Sequence, residues 1–244
     1  MYVWGGVRIS FRRRPSWINY IYFKFIADWY KIIPLGTYCL PRVITTQLFF
    51  KPTKSLGEET FPFDLAFFND LDVVAKLIEN RFENFFYGLE FKKNQDGTGI
   101  YINKKLKAVF NHDGNLTKDE FVNRYNRRID YFYKYIKDKK KKIFFIIATY
   151  SHLNERTIDH IIEAIEIYRK DKYQLIIINQ NKDNLISNRK NVSVIKAYHL
   201  RKEFDLLNTN GQWVAELSTL EMKEAKVFHE YMKKEFKTLI KKND

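Results

Sequence analysis

The chain has 244 residues, of which 45% are hydrophobic and 30% charged, with nine glycines and five prolines. This composition is typical of a globular protein with a sizeable core, and it excludes a disordered chain. The net charge of +14 invites a nucleic-acid or membrane partner, but the 43 Lys and Arg residues are spread along the whole sequence. We recognise no nucleic-acid-binding module, so we expect no specific nucleic-acid partner and interpret most of the charge as solvated surface.

Residues 1–31 form a basic and aromatic N-terminal extension. Four arginines precede an apolar run at 17–30, which Lys24 and Asp28 interrupt. The run is shorter than the roughly 20 residues of a spanning helix and no small-residue cleavage site follows, so we predict neither a spanning helix nor a signal peptide. A helix here would have an apolar stripe that either binds weakly to an anionic membrane surface or packs on the protein's own domain. The third alternative is that the start codon is placed too early and the segment is not part of the protein. The stripe consists of Trp17, Ile21, Phe25 and Trp29.

Cys39 is the only cysteine in the chain. It cannot form an internal disulfide or a thiolate cluster, so any special chemistry would be that of a nucleophile partnered by a histidine. The alternative is a small apolar core residue. The pattern from Leu40 to Phe50 predicts a helix, which puts Cys39 at a helix N-terminus, where the helix dipole favours a thiolate. A single cysteine needs no oxidising compartment, so we expect a cytoplasmic protein.

Four further elements are predicted between residues 60 and 135. They are an extended segment at 60–64, a helix from Asp70 to Phe86, a hairpin between Phe91 and Phe110 that turns at Asp96-Gly97, and a helix from Thr117 to Tyr135 that opens with a capping box to Glu120. His112 follows the last strand of the hairpin. Arg124, Arg127 and Arg128 form either an exposed helix face or a grip for an anion.

The final third predicts an α/β fold, with α+β as the alternative. Two continuous apolar runs flank a helical pattern, which is typical of buried parallel strands joined by a helix. These elements are a strand at 143–148, a helix at 158–168, a strand at 173–179, a further strand at 192–197 and a long charged helix at 216–241. We therefore predict a main domain over 32–215 with a mostly parallel sheet in its C-terminal half, followed by a C-terminal helix at 216–244.

Several short motifs occur in a specific order along the chain. They are Leu35-Gly36-x-x-Cys39, Phe61-Pro62-Phe63-Asp64, the aromatic segment 82–86 and Asn111-His112-Asp113. In these motifs the chain resembles a bacterial domain family of unknown function described as putative papain-like cysteine peptidases, over about residues 32–200. The resemblance implies that Cys39 is the nucleophile and His112 the general base. The chain departs from the family pattern in three places. The resemblance leads us to expect a polar residue at Tyr38, a tryptophan at Leu65 and an aromatic residue at Gly114. These departures affect the expected pocket shape and oxyanion donors.

The third catalytic residue is predicted to be Asp64, which would orient His112 from a neighbouring loop. The alternative for Asp64 is a helix-capping or loop-fixing role. Asp113 is expected to point away from His112 if the strand continues. We expect structural or surface roles for His152 and His160, no motif surrounds His199 or His229, and we predict neither a metal site nor a cofactor.

Two classes of function follow from the sequence. The first is an enzyme of cysteine-dependent acyl chemistry, in which Cys39 attacks a peptide or other acyl-group substrate as a hydrolase or acyltransferase. The second is a non-catalytic binding protein for a phosphorylated or anionic partner. The segment Thr149-Tyr150-Ser151-His152 lacks the glycines of a phosphate loop, which counts against the second class. The sequence predicts no oligomeric state.

Overall fold

The structure is a computed structural model that describes residues 2–4, 7–9, 29–47, 50–52, 57, 59–93, 98–181, 185–198, 223–224 and 226–235. Its elements in chain order are β1 (Tyr2–Trp4), β2 (Val7–Ile9), β3 (Tyr30–Pro34), α1 (Leu40–Gln47), β4 (Phe67–Phe68), α2 (Leu71–Glu79), β5 (Leu89–Lys93), β6 (Gly99–Asn103), β7 (Ala108–Phe110), α3 (Lys118–Ile136), β8 (Lys142–Thr149), α4 (Glu155–Glu166), β9 (Tyr173–Asn179) and β10 (Val192–Lys196). β1 and β2 form an antiparallel hairpin. Most of the predicted amphipathic helix at 17–29 and the Asp96-Gly97 turn lie outside the described residues.

A four-stranded parallel sheet has the strand order β10-β9-β8-β3. In its register Ile33 lies beside Phe145, which lies beside Leu175. The predicted parallel strand-helix-strand unit and the third strand are therefore confirmed, and the fold is α/β. The sequence did not predict β3, which begins at Tyr30, two residues before the expected start of the main domain.

Alternate residues of the parallel sheet pack into two separate cores, because successive side chains in a strand point to opposite faces. On β8, Phe145 belongs to the first core and Phe144 to the second. The first core also contains apolar side chains of α2, α3 and α4. The second contains those of α1 together with Phe228 and Met232 from the C-terminal helical segment 226–235. Helices thus cover both faces of the sheet, which explains why its strands are continuous apolar runs.

A second sheet is antiparallel and has the order β4-β7-β6-β5. It packs against an aromatic part of the first core in which rings meet mostly edge to face, as Phe68 does with Phe110 at a centroid distance of 6.2 Å. The whole sheet lies in the sequence between β3 and β8. It therefore occupies the connection between two adjacent parallel strands, and its strand β4 contacts the loop after β3.

The predicted starts of α1, α2 and α3 agree with the structure, whereas α4 begins at Glu155, three residues before the predicted residue 158, with Asn154 as its N-cap. Thr117 and Glu120 form the expected capping box of α3, and Asp70 caps α2. α2 ends at Glu79, however, and not at Phe86, because Arg81, Phe82 and Asn84 have φ angles near +60°. The left-handed conformation costs about 1–2 kcal/mol per non-glycine residue. Burial of Phe82 among other aromatic rings compensates for that cost.

The segment around Pro62 is a turn and not the predicted extended segment. Asp64 N–H donates to the carbonyl of Phe61 at 3.2 Å, which closes a four-residue turn with proline at its second position. Proline is favoured there because its fixed φ matches the turn. The prediction for 60–64 is therefore wrong from residue 62 onward.

Candidate active site

Cys39 lies at the carboxyl end of the parallel sheet, on the loop that follows β3. Leu35 N–H donates to the carbonyl of Ile146 at 2.9 Å, and Thr37 Oγ1 donates to that of Ala148 at 3.0 Å. Gly36 makes the turn with a φ of +70°, a conformation that glycine adopts without steric cost. These contacts fix the loop against β8 immediately before the cysteine.

The start of α1 at Leu40 confirms that Cys39 is at a helix N-terminus. The carbonyl of Cys39 accepts the first helical hydrogen bond from Val43 N–H at 3.0 Å, so Cys39 is the N-cap residue. Its side chain is partly exposed and also packs at the edge of the second core. Backbone N–H groups at this end of the helix favour negative charge, which is the environment that a thiolate needs.

His112 is exposed, two residues beyond the end of β7, and the residue after it is anchored in the protein interior. The carboxylate of Asp113 is fully buried. It pairs with Arg124 at 2.6 Å and Arg128 at 3.4 Å, and it accepts a hydrogen bond from Tyr125 at 2.9 Å. Asp113 thus fixes the His112 segment to α3. Because β7 ends at Phe110, the continuing strand on which the expectation for Asp113 depended is not present.

The same contacts change the interpretation of the α3 arginines. Arg128 is buried, so the expectation of an exposed face is wrong for this residue. Arg124 and Arg128 do grip an anion, but that anion is the internal carboxylate of Asp113. Arg127 is exposed. The arginine cluster therefore positions part of the site and offers less to an external phosphate than the sequence suggested.

Gly114 holds the other side of the His112 segment through a close backbone contact. A Cβ atom at Gly114 would lie 1.4 Å from the carbonyl oxygen of Gly99, and one at Gly99 would lie 2.3 Å from that of Gly114. No side chain fits between the two backbones. This explains why glycine stands where the family resemblance led us to expect an aromatic residue.

Two contacts connect the Cys39 region to β4 and to the turn that precedes β4. In the first, Phe68 N–H on β4 donates to the carbonyl of Thr37 at 2.8 Å, and β4 pairs with β7, after which His112 follows. In the second, Arg42 on α1 lies 4.0 Å from Asp64. The register aligns Phe67 with Val109, so Asp64 and His112, each three residues beyond this pair, leave it from the same end.

Asp64 is fully buried and has basic partners. Its Oδ2 atom pairs with Lys51 Nζ, and Arg42 Nε approaches the same oxygen. Lys51 is itself buried and lies over the ring of Phe61 at 5.3 Å. These contacts agree with the loop-fixing alternative for Asp64. Its role in orienting His112 stays a prediction.

The side chains of Tyr38, Tyr150 and Gln180 meet beside Cys39. They were not identified as a group from the sequence. Tyr38 stacks on Tyr150 with a centroid distance of 5.2 Å, and its hydroxyl donates to Oε1 of Gln180. Burial and the neighbouring Tyr150 hold the pKa of Tyr38 well above its ordinary value, so its hydroxyl stays protonated. Their positions in the sequence could have identified them, because they follow β3, β8 and β9. Ligands commonly bind at the carboxyl ends of parallel strands.

The remaining histidines have separate surroundings. His160 on α4 binds Asp72 through Nδ1 at 2.9 Å and Glu79 through Nε2 at 3.1 Å. Its two ring nitrogens face opposite sides, so the three groups do not converge on one point, and no set of metal-binding residues occurs within the described ranges. His152 is exposed, and His229 packs against Phe50 with a ring separation of 5.4 Å. His199 lies outside the described residues.

Two surface clefts of about 560 and 760 Å³ lie beside α2 and do not include Cys39 or His112. The smaller is lined by Leu77, Tyr87 and Leu106 among others, and the larger by Arg156 and His160 among others.

Among the helices in the described part of the chain, none is long and apolar enough to cross a membrane.

Comparison with known families adds to this geometry. The family described as "putative papain-like cysteine peptidase (DUF1796)" matches residues 30–182, which is more than half of the chain. The chain belongs to this family. The matched region begins with β3 and contains Cys39, Asp64 and His112, as well as Gln180. Comparison with curated proteins and with solved structures gave no match.

Proposed function

We propose that the protein is a cysteine-dependent acyl hydrolase, in the first place a peptidase, with Cys39 as the nucleophile and His112 as the general base. The observation that carries this proposal is the position of Cys39. The only thiol of the chain caps a helix at the carboxyl end of a parallel sheet, partly exposed, inside the region that matches the family. A cysteine that serves only as core filler needs neither the cap position nor the exposure.

The proposed reaction begins with attack of the Cys39 sulfur on the substrate carbonyl carbon, while His112 holds the thiol proton. Backbone N–H groups at the start of α1 stabilise the resulting oxyanion. We propose the backbone N–H groups of Leu40 and Arg42 as these donors; Pro41 has no N–H, and Val43 N–H donates to the carbonyl of Cys39. The leaving amine takes the proton from His112, which gives a thioester on Cys39. Water then hydrolyses the thioester, and an amine or hydroxyl acceptor in its place would make the enzyme an acyltransferase.

Tyr38 and Tyr150 support an apolar contact surface beside the nucleophile. Their rings are stacked, and the hydroxyl of Tyr38 donates to Gln180. We propose that this pair replaces the polar residue expected before the cysteine and favours an apolar or aromatic side chain of the substrate. We propose that Asp64 holds α1 in place by pairing with Arg42 and by fixing the turn at residue 62. A contact of Asp64 with His112 would add to this role.

The test is to look for the covalent intermediate. The full chain is incubated with mixed peptides and with acyl thioesters, and its intact mass is measured after rapid acid quench. The proposal expects an acyl adduct that maps to Cys39, is absent in Cys39→Ser at neutral pH and accumulates more slowly in His112→Ala. Equal labelling of the wild-type protein and Cys39→Ser, or no adduct with any donor, would contradict it.

A further inference from the structure

Two lysine-rich loops meet at the amino end of the parallel sheet, opposite the end that bears Cys39. Residues 137–142 connect α3 to β8, and residues 170–172 lead into β9; together they contain seven lysines and two aspartates. We call these two segments the lysine face. Ile143 N–H donates to the carbonyl of Lys172 at 2.9 Å, which joins the two loops directly.

A buried arginine holds the lysine face together. Arg169 is fully buried, and its guanidinium donates to backbone carbonyls of both loops and of the end of α3. Its acceptors are the carbonyl oxygens of Tyr135, Ile136, Asp138, Lys141, Asp171 and Lys172, with distances of 3.0 Å to Ile136 and 3.1 Å to Lys141. The carbonyls therefore point inward, and the loops are held in one arrangement in spite of the repulsion between their side chains.

Most of the lysines on this face are available to a partner. Lys137, Lys139, Lys140, Lys170 and Lys172 are exposed. Within the described part of the chain, none of these five lies in an ion pair with a carboxylate; Lys139 donates to the carbonyl of Tyr168, and Lys137 lies over the rings of Tyr133 and Tyr168. Such a concentration of like charge costs stability in the free protein, and an external anion would remove that cost.

The N-terminal segment joins the fold at the same place. Lys142 N–H donates to the carbonyl of Trp29 at 2.9 Å, and Tyr30 is paired with Lys142. In the sequence, arginines at 8 and 12–14 and an aromatic run precede Trp29. Basic residues combined with tryptophan and phenylalanine are typical of segments that bind at a lipid–water interface.

We propose that the lysine face binds the surface of an anionic lipid membrane. Lysine-rich loops attract anionic lipids through non-specific charge, whereas nucleic-acid recognition relies more on the planar, bidentate arginine side chain. Neither loop contains an arginine, and Arg169, which directly precedes the second loop, is used internally. β8 has eight residues and so spans about 25 Å between the lysine face and the Cys39 end. Membrane binding would thus leave the Cys39 loop open to the aqueous side.

The test measures binding of the full chain to sedimented vesicles of phosphatidylcholine alone and of phosphatidylcholine with phosphatidylserine. The test variant carries Lys140→Gln, Lys170→Gln and Lys172→Gln. The matched control carries the same change at three exposed lysines elsewhere, Lys92, Lys93 and Lys118, of which Lys118 lies at the opposite end of the 19-residue α3. Both variants lose the same net charge.

The proposal expects binding only to the phosphatidylserine vesicles, weakened at least tenfold in the test variant and less than threefold in the control. We also expect the binding to phosphatidylserine vesicles to be lost at high salt. The proposal is overturned if the wild-type protein does not bind these vesicles, if both variants lose affinity equally, or if a single-stranded oligonucleotide binds the lysine face and displaces the protein from the vesicles at equal phosphate concentration.

Discussion

Replacement of Asp113 by alanine tests how the His112 segment is held. The change removes a fully buried carboxylate and leaves its partners on α3 without their anion. Arg128 has only 7% of its side chain exposed, so water replaces the lost contact poorly. Breaking a buried ion pair by removing one partner costs about 3–5 kcal/mol. In a chain of this size each kcal/mol lowers the melting temperature by about 2–4 °C, so we expect a fall of roughly 6–20 °C.

Two further variants are compared with Asp113→Ala by urea unfolding of the full chain. Asp113→Asn keeps an acceptor for Tyr125 but loses the charge, and should cost about 1–3 kcal/mol. Asp130→Ala removes an exposed carboxylate from α3, the helix that carries the partners of Asp113, and should change the free energy of unfolding by no more than about 0.5 kcal/mol. The reasoning is refuted if Asp113→Ala is as mild as Asp130→Ala. Because Asp113 adjoins His112, Asp113→Asn should also slow alkylation of Cys39 at low pH.

Two further predictions concern stability. Burial alone lowers the pKa of His160, but its hydrogen bonds with Asp72 and Glu79 outweigh burial and raise it above the ordinary 6.5. Its contribution to the free energy of unfolding is therefore full below about pH 6.5 and disappears as the pH rises through the raised value. His160→Gln should be destabilised relative to the wild-type protein in acid and approach it in alkali; a pH-independent difference in urea unfolding would contradict this. Gly114→Ala must displace the backbone of Gly99 and should lower the free energy of unfolding by about 1–3 kcal/mol or more; a change below about 0.5 kcal/mol would mean that the contact is not tight.

The elements that sequence reasoning predicted well are those with strong local patterns. β8 and β9 are continuous apolar runs, and the capping box of α3 is formed by Thr117 and Glu120 within one turn. The start of α1 followed from Pro41 in a first helical turn. Each of these signals lies within a few residues of the element it predicts, so no knowledge of distant contacts was needed.

The features that the sequence did not predict depend on contacts between distant residues. β3 is short and follows an apolar run with helical spacing, and it is a strand because it pairs with β8 more than 100 residues later. α2 ends early because Phe82 is buried against Phe63 and Phe132. At the site, Asp113 was visible in its motif, but its partners on α3 are set by packing. The roles of Cys39 and His112 came from motif order and family resemblance, and they stay predictions.

The pH dependence of Cys39 alkylation tests the central claim most directly. The wild-type protein has a single thiol, so iodoacetamide labelling followed by intact mass reports on Cys39 alone. We predict that the rate in the native protein titrates well below the value of about 8.5 for a free thiol. The alkylation rate that remains at low pH should be lost in His112→Ala and retained in His152→Ala. His152 is another exposed histidine and lies just after the carboxyl end of β8. A rate that titrates near 8.5 and is unchanged in His112→Ala would show that Cys39 is a structural cysteine and would contradict the proposed function.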